Sequence, residues 1–158
     1  MKITVLAGGI STERDVSLVS GMGVYRALKE NGHNAVLIDL YLGLNDVPAD
    51  INDIFNDERD WAKAIKSVAE AAPDINAVKA SRPGNPEVMF VPNVLQICSA
   101  SDIVFMALHG DCGENGKIQA TFDLLGIRYT GTDYISSALS MDKAITKSIF
   151  VQTNVRTP

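Results

Sequence analysis

Two short apolar runs each break off into a glycine loop that carries ionisable side chains, and this pairing constrains the fold most. The first run is Ile3–Ala7, followed by GGISTERDVS over residues 8–17. The second covers residues 102–108, followed by His109 and a loop holding Gly110, Gly113 and Gly116. Apolar runs of this length, bounded by glycine, read as strands buried on both faces. In open parallel sheets, ligands bind outside the carboxyl ends of the strands. Both junctions therefore mark one edge of the sheet as a candidate site.

The pattern between the junctions alternates strand and helix. A helix is expected from about Asp15 to Asn31, with Val16, Val19, Val24 and Leu28 giving apolar contact. Ser20, Gly21 and Gly23 would let it lie close on a sheet, and Gly32 is a plausible stop. His33 follows in that turn as a surface residue. Residues 35–40 (AVLIDL) form the second strand, parallel to the first because a helix separates them. Residues 41–56 show turn residues and acids without a period.

A helix is expected over 57–72, because Trp61, Ile65, Val68 and Ala72 share a face and Asp57, Glu58 and Asp60 favour its N-terminal end. Residues 81–87 read as a turn-rich loop, EVMFV (87–91) as a strand and 92–100 as a short helix opened by Pro92. Further elements are the strand 102–108, a helix over 116–125 capped by Gly126, a strand over IRYTG (127–131) and a mostly helical stretch from Ile135 to Asn154. Together these predict an α/β fold: a three-layer sandwich around a mainly parallel sheet.

Composition narrows the function classes. At 158 residues with 46% hydrophobic and 21% charged content, the chain can bury an ordinary core. The net charge of −5, without a lysine or arginine cluster, speaks against a nucleic-acid partner. No apolar run approaches the roughly 20 residues of a membrane span, and the start MKITVLAGG is too short in apolar residues for a signal peptide. A cytoplasmic location is expected. Cys98 and Cys112 do not suggest a disulfide framework. Acids around Cys112 would raise its thiol pKa rather than activate it.

Several side chains could do chemistry. Glu13, at the first strand-to-helix turn, could hold a substrate ammonium; equally, it could be an acid favoured near a helix N-terminus. Arg14 beside it is a surface cation or a loop clamp. Val16 could line a small apolar pocket or simply pack, and Ser17 could donate to a ligand or cap the helix. His109 could donate to or accept from a ligand near neutral pH, or bond a local carbonyl. The 110–116 loop carries Asp111 and Glu114, which would repel a triphosphate, and it lacks a P-loop ending; GGIST lacks the third glycine of a dinucleotide fingerprint. A metal held by His109, Asp111, Cys112 and Glu114 matches no common ligand spacing, so no metal site is expected. Lys143 and Lys147 share a helix face, either as phosphate contacts or as a solvated surface.

Three motifs, AGGISTERDVSLVSG, ALHGDCGENGKIQ and YTGTDYISSALSMDKAITK, occur here in the order and settings of one family. The chain resembles the D-alanine–D-alanine ligases of the ATP-grasp superfamily. The resemblance implies a Rossmann-like pre-ATP-grasp domain over residues 1–133 and the first helix of a central domain over 134–158. It implies that Glu13 holds the amino group of the first D-alanine, Val16 lies near its methyl, His109 helps to orient it, and Lys143 approaches the ATP phosphates; Ser17, next to Val16, is counted with the expected substrate-binding residues.

The implied reaction has two steps. ATP phosphorylates the carboxylate of one D-alanine to an acyl phosphate; the amine of a second D-alanine then displaces phosphate, and the dipeptide enters peptidoglycan. Mg2+ or Mn2+ would bridge the phosphates, and a homodimer would be in keeping with the family.

One departure bears on activity. The chain ends at Pro158, where the family's ATP-binding part would begin, so ligation by this chain alone is not expected. Nor is the second substrate readable, so D-serine or D-lactate, as in vancomycin resistance, stays open. A stand-alone, non-catalytic α/β binding domain is the remaining alternative.

Overall fold

A computed structural model describes residues 1–157. Its centre is a three-stranded, all-parallel sheet in the order β2-β1-β3, with β1 at Lys2–Ala7, β2 at Asn34–Asp39 and β3 at Ile103–Met106. Lys2 pairs with Asn34 at one end of the β1–β2 ladder and Ala7 with Asp39 at the other. On its second edge β1 pairs from Ile3↔Ile103 to Leu6↔Met106. β1 is apolar at nearly every position because helices cover both faces of the sheet.

The two faces have separate cores, as strand alternation requires. Val5, Ala7, Ala35 and Leu37 face α1 (Arg14–Glu30), where Tyr25 is buried with them. Leu6, Val36, Ile38 and Val104 face the opposite layer. That layer contains α3 (Pro92–Ala100), α5 (Lys117–Leu125) and a 3-10 turn over Ile51–Asn56, which contribute Val94, Ile97, Phe122, Ile54 and Phe55. The expected three-layer α/β sandwich is therefore present. Of the two glycines inside α1, Gly21 rather than Gly23 permits its close approach: a Cβ on Gly21 would lie 2.7 Å from Ala7 Cβ, whereas one on Gly23 meets nothing within 4 Å.

Four expected elements are corrected. Residues 57–72 form no helix; they hold a short turn, and a helix, α2, instead covers Ile75–Ser81. Asp57 and Asp60 accept from the backbone N–H groups of Arg59 (2.8 Å) and Ala62 (3.0 Å), which closes Asx turns that compete with a helical start. Trp61 and Ile65 still pack on the core, so their spacing carried a burial signal without helical geometry. EVMFV is not a strand, because the buried Arg82 guanidinium takes the carbonyls of Asn85 and Val88 at 2.7 and 2.5 Å.

The stretch 127–131 makes a single parallel bridge, Val104↔Tyr129. The ladder ends there because Met106 N–H donates to Thr130 Oγ1 (3.1 Å) rather than to a carbonyl. Finally, the helix expected over 135–154 is two helices, α6 (Tyr134–Met141) and α7 (Lys143–Gln152). Asp142 breaks it: extended at ψ 99°, it accepts from Ala144 N and Ile145 N and so caps α7. The one-turn helix α4 (Asp111–Glu114) lies inside the second glycine loop, and α6 packs against α4 and α5. Pro158, the last residue of the expected central-domain start, lies outside the described residues.

Candidate functional site

From β1 the chain moves through α1 to β2 on one side, while β3 joins β1 on the other. The carboxyl ends of β1 and β3 thus flank a topological switch point, where a crevice forms between diverging connections. The two glycine loops singled out in the sequence lie there together.

Their junction is held by hydroxyl groups. Buried Ser17, in the first turn of α1, accepts from Gly8 N (2.8 Å) and donates to Ala107 O (2.7 Å), tying the ends of both strands to the helix. Ser11 Oγ donates to His109 O (2.7 Å) and accepts from Glu13 N (3.3 Å). Gly8 and Gly9 have φ of 76° and 86°, a region open to glycine at little cost, so the chain can turn tightly into α1. Gly110, at φ 78°, gives room for Glu13: a Cβ there would lie 2.9 Å from both Glu13 Oε2 and Ser11 Oγ.

The electrostatics separate two neighbouring residues. Arg14 turns inward, where Nη1 donates to Gly9 O (2.6 Å) and Nη2 pairs with Asp39 Oδ2 (2.5 Å), with both side chains about nine-tenths buried. The other oxygen of Asp39 accepts from Tyr41 N and Leu42 N at 2.8 and 2.9 Å. Glu13 is exposed beside Gly110, and among the described residues its carboxylate has neither an ion pair nor a hydrogen-bond donor. An unpaired anion beside the ends of β1 and β3 suits a small cation or ammonium group. Cys112 packs against the first glycine loop, with Sγ 2.9 Å from where a Cβ on Gly9 would stand. Burial raises the Cys112 thiol pKa first, and the charge of Asp111 adds to it, while hydrogen bonding at Ile10 and Ser11 opposes the rise.

Residues 2–132 match the family described as the D-ala D-ala ligase N-terminus. The chain belongs to that family. The D-alanine–D-alanine ligase of Lacticaseibacillus casei is 41% identical over 157 residues, an alignment that covers 99% of this chain and 43% of the relative. That of Pediococcus pentosaceus is 43% identical over 159 residues, covering 99% and 44%. Among solved structures, the Bacillus anthracis D-alanine–D-alanine ligase complexed with ATP superposes with a TM-score of 0.62 at 26% identity, covering all of this chain and 36% of that one. The chain thus spans about two-fifths of the length of these relatives.

Within this ligase N-terminal domain, the loops of Glu13 and His109 come together, joined through Ser11. His109 is half-buried and lies past the end of β3, with its carbonyl engaged by Ser11. Ser17 lies directly beneath, and its hydroxyl proton already goes to Ala107 O. Val16 sits one residue further out, 39% exposed. Lys143 is not drawn into this cluster; it is exposed at the first position of α7, outside both loops. His33 is half-buried rather than fully on the surface. Among the described residues no group of three or more His, Cys, Asp or Glu could hold a metal ion.

Sequence reasoning missed the part played by Asp39 and Ser11. Asp39 carried a signal, an acid at the carboxyl end of the otherwise apolar run AVLIDL. The choice left open for Arg14 resolves as a loop clamp, not a surface cation.

Proposed function

We propose that this chain provides the first-substrate half of an ATP-dependent D-alanine–D-alanine ligase. The observation that carries the reading is the unpaired Glu13 carboxylate at the switch point between β1 and β3, in a chain of this family. Glu13 would hold the ammonium of the first D-alanine, which leaves the substrate carboxylate directed away from the anion and toward the γ-phosphate of ATP. His109 orients the same substrate across the junction, and Val16 offers the apolar contact for its methyl group. Ser17 acts from below by fixing the relative position of the two strand ends. Such positioning makes the phosphoryl transfer effectively intramolecular, which can contribute several kcal/mol.

Lys143 meets the ATP phosphates as a point charge, within a central domain that starts near residue 134. Mg2+ or Mn2+ would accompany ATP, and a reaction that consumes ATP and feeds peptidoglycan fits the cytoplasm. Loss of the Glu13 charge removes a charge-assisted hydrogen bond worth about 1.5–3 kcal/mol, roughly a 10–100-fold effect. The test joins residues 1–158 to the remaining portion of a related ligase and measures D-alanine-dependent ADP release. Glu13→Gln should raise the KM for the first D-alanine by that factor. A Glu13→Gln enzyme equal to the unchanged one rules out this role.

A further inference from the structure

Glu13 and Arg14 are neighbours in sequence, yet their side chains leave the β1–α1 turn on opposite sides. Glu13 Oε2 lies against Gly110, while Arg14 Nη1 lies against Gly8 and next to Asp39. Arg14 has a long, flexible stem, and without an inward partner its guanidinium could swing toward the adjacent carboxylate. An internal ion pair of that kind would neutralise the anion that the substrate ammonium needs. In the structure the Arg14 guanidinium is held elsewhere, by Gly9 O and Asp39 Oδ2. Asp39 in turn is held rigidly by the backbone N–H groups of Tyr41 and Leu42, so it cannot follow Arg14 outward.

We infer that Asp39 is a positioning residue for substrate binding, which keeps the Arg14 cation away from Glu13 and so leaves the Glu13 charge free for an ammonium group. The inference rests on the proposed role of Glu13. It assigns a task to a residue on β2, an element that otherwise supplies nothing to the site. It also explains why an acid ends an apolar strand inside the molecule, where a charge without a partner is costly.

Titration of the 158-residue chain with D-alanine, followed by the amide resonances of Glu13 and Gly110, tests it. Asp39→Asn frees the cation while keeping the size of the side chain, and should weaken D-alanine binding roughly tenfold, the effect of one opposite charge a few ångströms from the site. Asp39→Asn combined with Arg14→Gln removes the cation as well and should recover most of the lost affinity. A purely structural role for Asp39 would not be rescued in this way, so a double variant as weak as the single one overturns the inference. So does an Asp39→Asn chain that binds as the unchanged chain does.

If the unchanged chain shows no response to D-alanine while Glu13→Gln is equally silent, the substrate reading itself falls, and the inference with it. Should Asp39→Asn fail to fold, the side-chain NMR signals of Arg14 in the unchanged chain decide. They stay fixed during titration if Asp39 retains the cation, and their movement with D-alanine would overturn the proposal.

Discussion

The seating of α1 on the sheet offers a sharp test, because two glycines in one helix meet opposite surroundings. Gly21 and Gly23 both lie inside α1, so replacing either by alanine gains about 0.8–1.0 kcal/mol of helix propensity. At Gly23 nothing opposes that gain, since a Cβ there meets no atom within 4 Å. At Gly21 the new methyl would stand 2.7 Å from Ala7 Cβ and 3.1 Å from Leu37 Cδ1. Carbon atoms in contact settle at about 3.5–4.0 Å, so α1 must lift by roughly an ångström. Overpacking of this kind costs about 1–3 kcal/mol.

The propensity gain is common to both variants and cancels in their difference. Gly23→Ala should therefore exceed Gly21→Ala in stability by about 1–3 kcal/mol, or about 2–12 °C in Tm for a chain of this size. Urea unfolding followed by the fluorescence of Trp61, the chain's one tryptophan, measures both. Lifting α1 would also stretch the Ser17 bonds to Gly8 and Ala107, so Gly21→Ala should also weaken the proposed D-alanine binding. Equal stabilisation by the two substitutions would refute the close-approach argument.

Cys98 is buried on α3, and its thiol pKa is pushed up to about 12 by desolvation. The unfolded thiol ionises near 9, below the folded value, so the stability that it contributes is complete below pH 9 and is lost as pH rises from 9 toward 12. The slope should reach about 1.4 kcal/mol per pH unit, and Cys98→Ala should remove it in alkaline urea titrations. Thr4 shares a pleat face with Leu6, and its hydroxyl is buried without a hydrogen-bond partner. Thr4→Val removes that unpaired group at nearly constant volume and should stabilise the chain by about 1 kcal/mol, seen as a Tm higher by about 2–4 °C.

Much of the architecture follows from short-range signals. The apolar runs at 3–7, 35–40 and 102–108 became β1, β2 and β3, because helices on both faces of a parallel sheet demand such runs. Pro92 and Gly126 bound α3 and α5 as expected. The failures share a cause: a side chain captured a backbone group that the local pattern had assigned to a helix or strand. Asp57, Asp60, Arg82 and Asp142 did so from within a few residues, Thr130 through tertiary contact. A burial period such as that of Trp61 and Ile65 records which residues face the core, but not the backbone geometry that brings them there.

The candidate site divides along the same line. The sequence alone determined the chemistry on offer, with a carboxylate at residue 13 and an imidazole at residue 109, each just beyond an apolar run that ends in glycine. Only the tertiary structure decided that these loops adjoin, because the strand order β2-β1-β3 sets the ends of β1 and β3 side by side and Ser11 bonds across to His109. It also decided which charge is available. Arg14 and Glu13 are indistinguishable by position in the chain, and the partner that separates them, Asp39, comes from another strand. Local sequence sets what a residue can donate or accept; long-range packing sets which of those capacities is already spent.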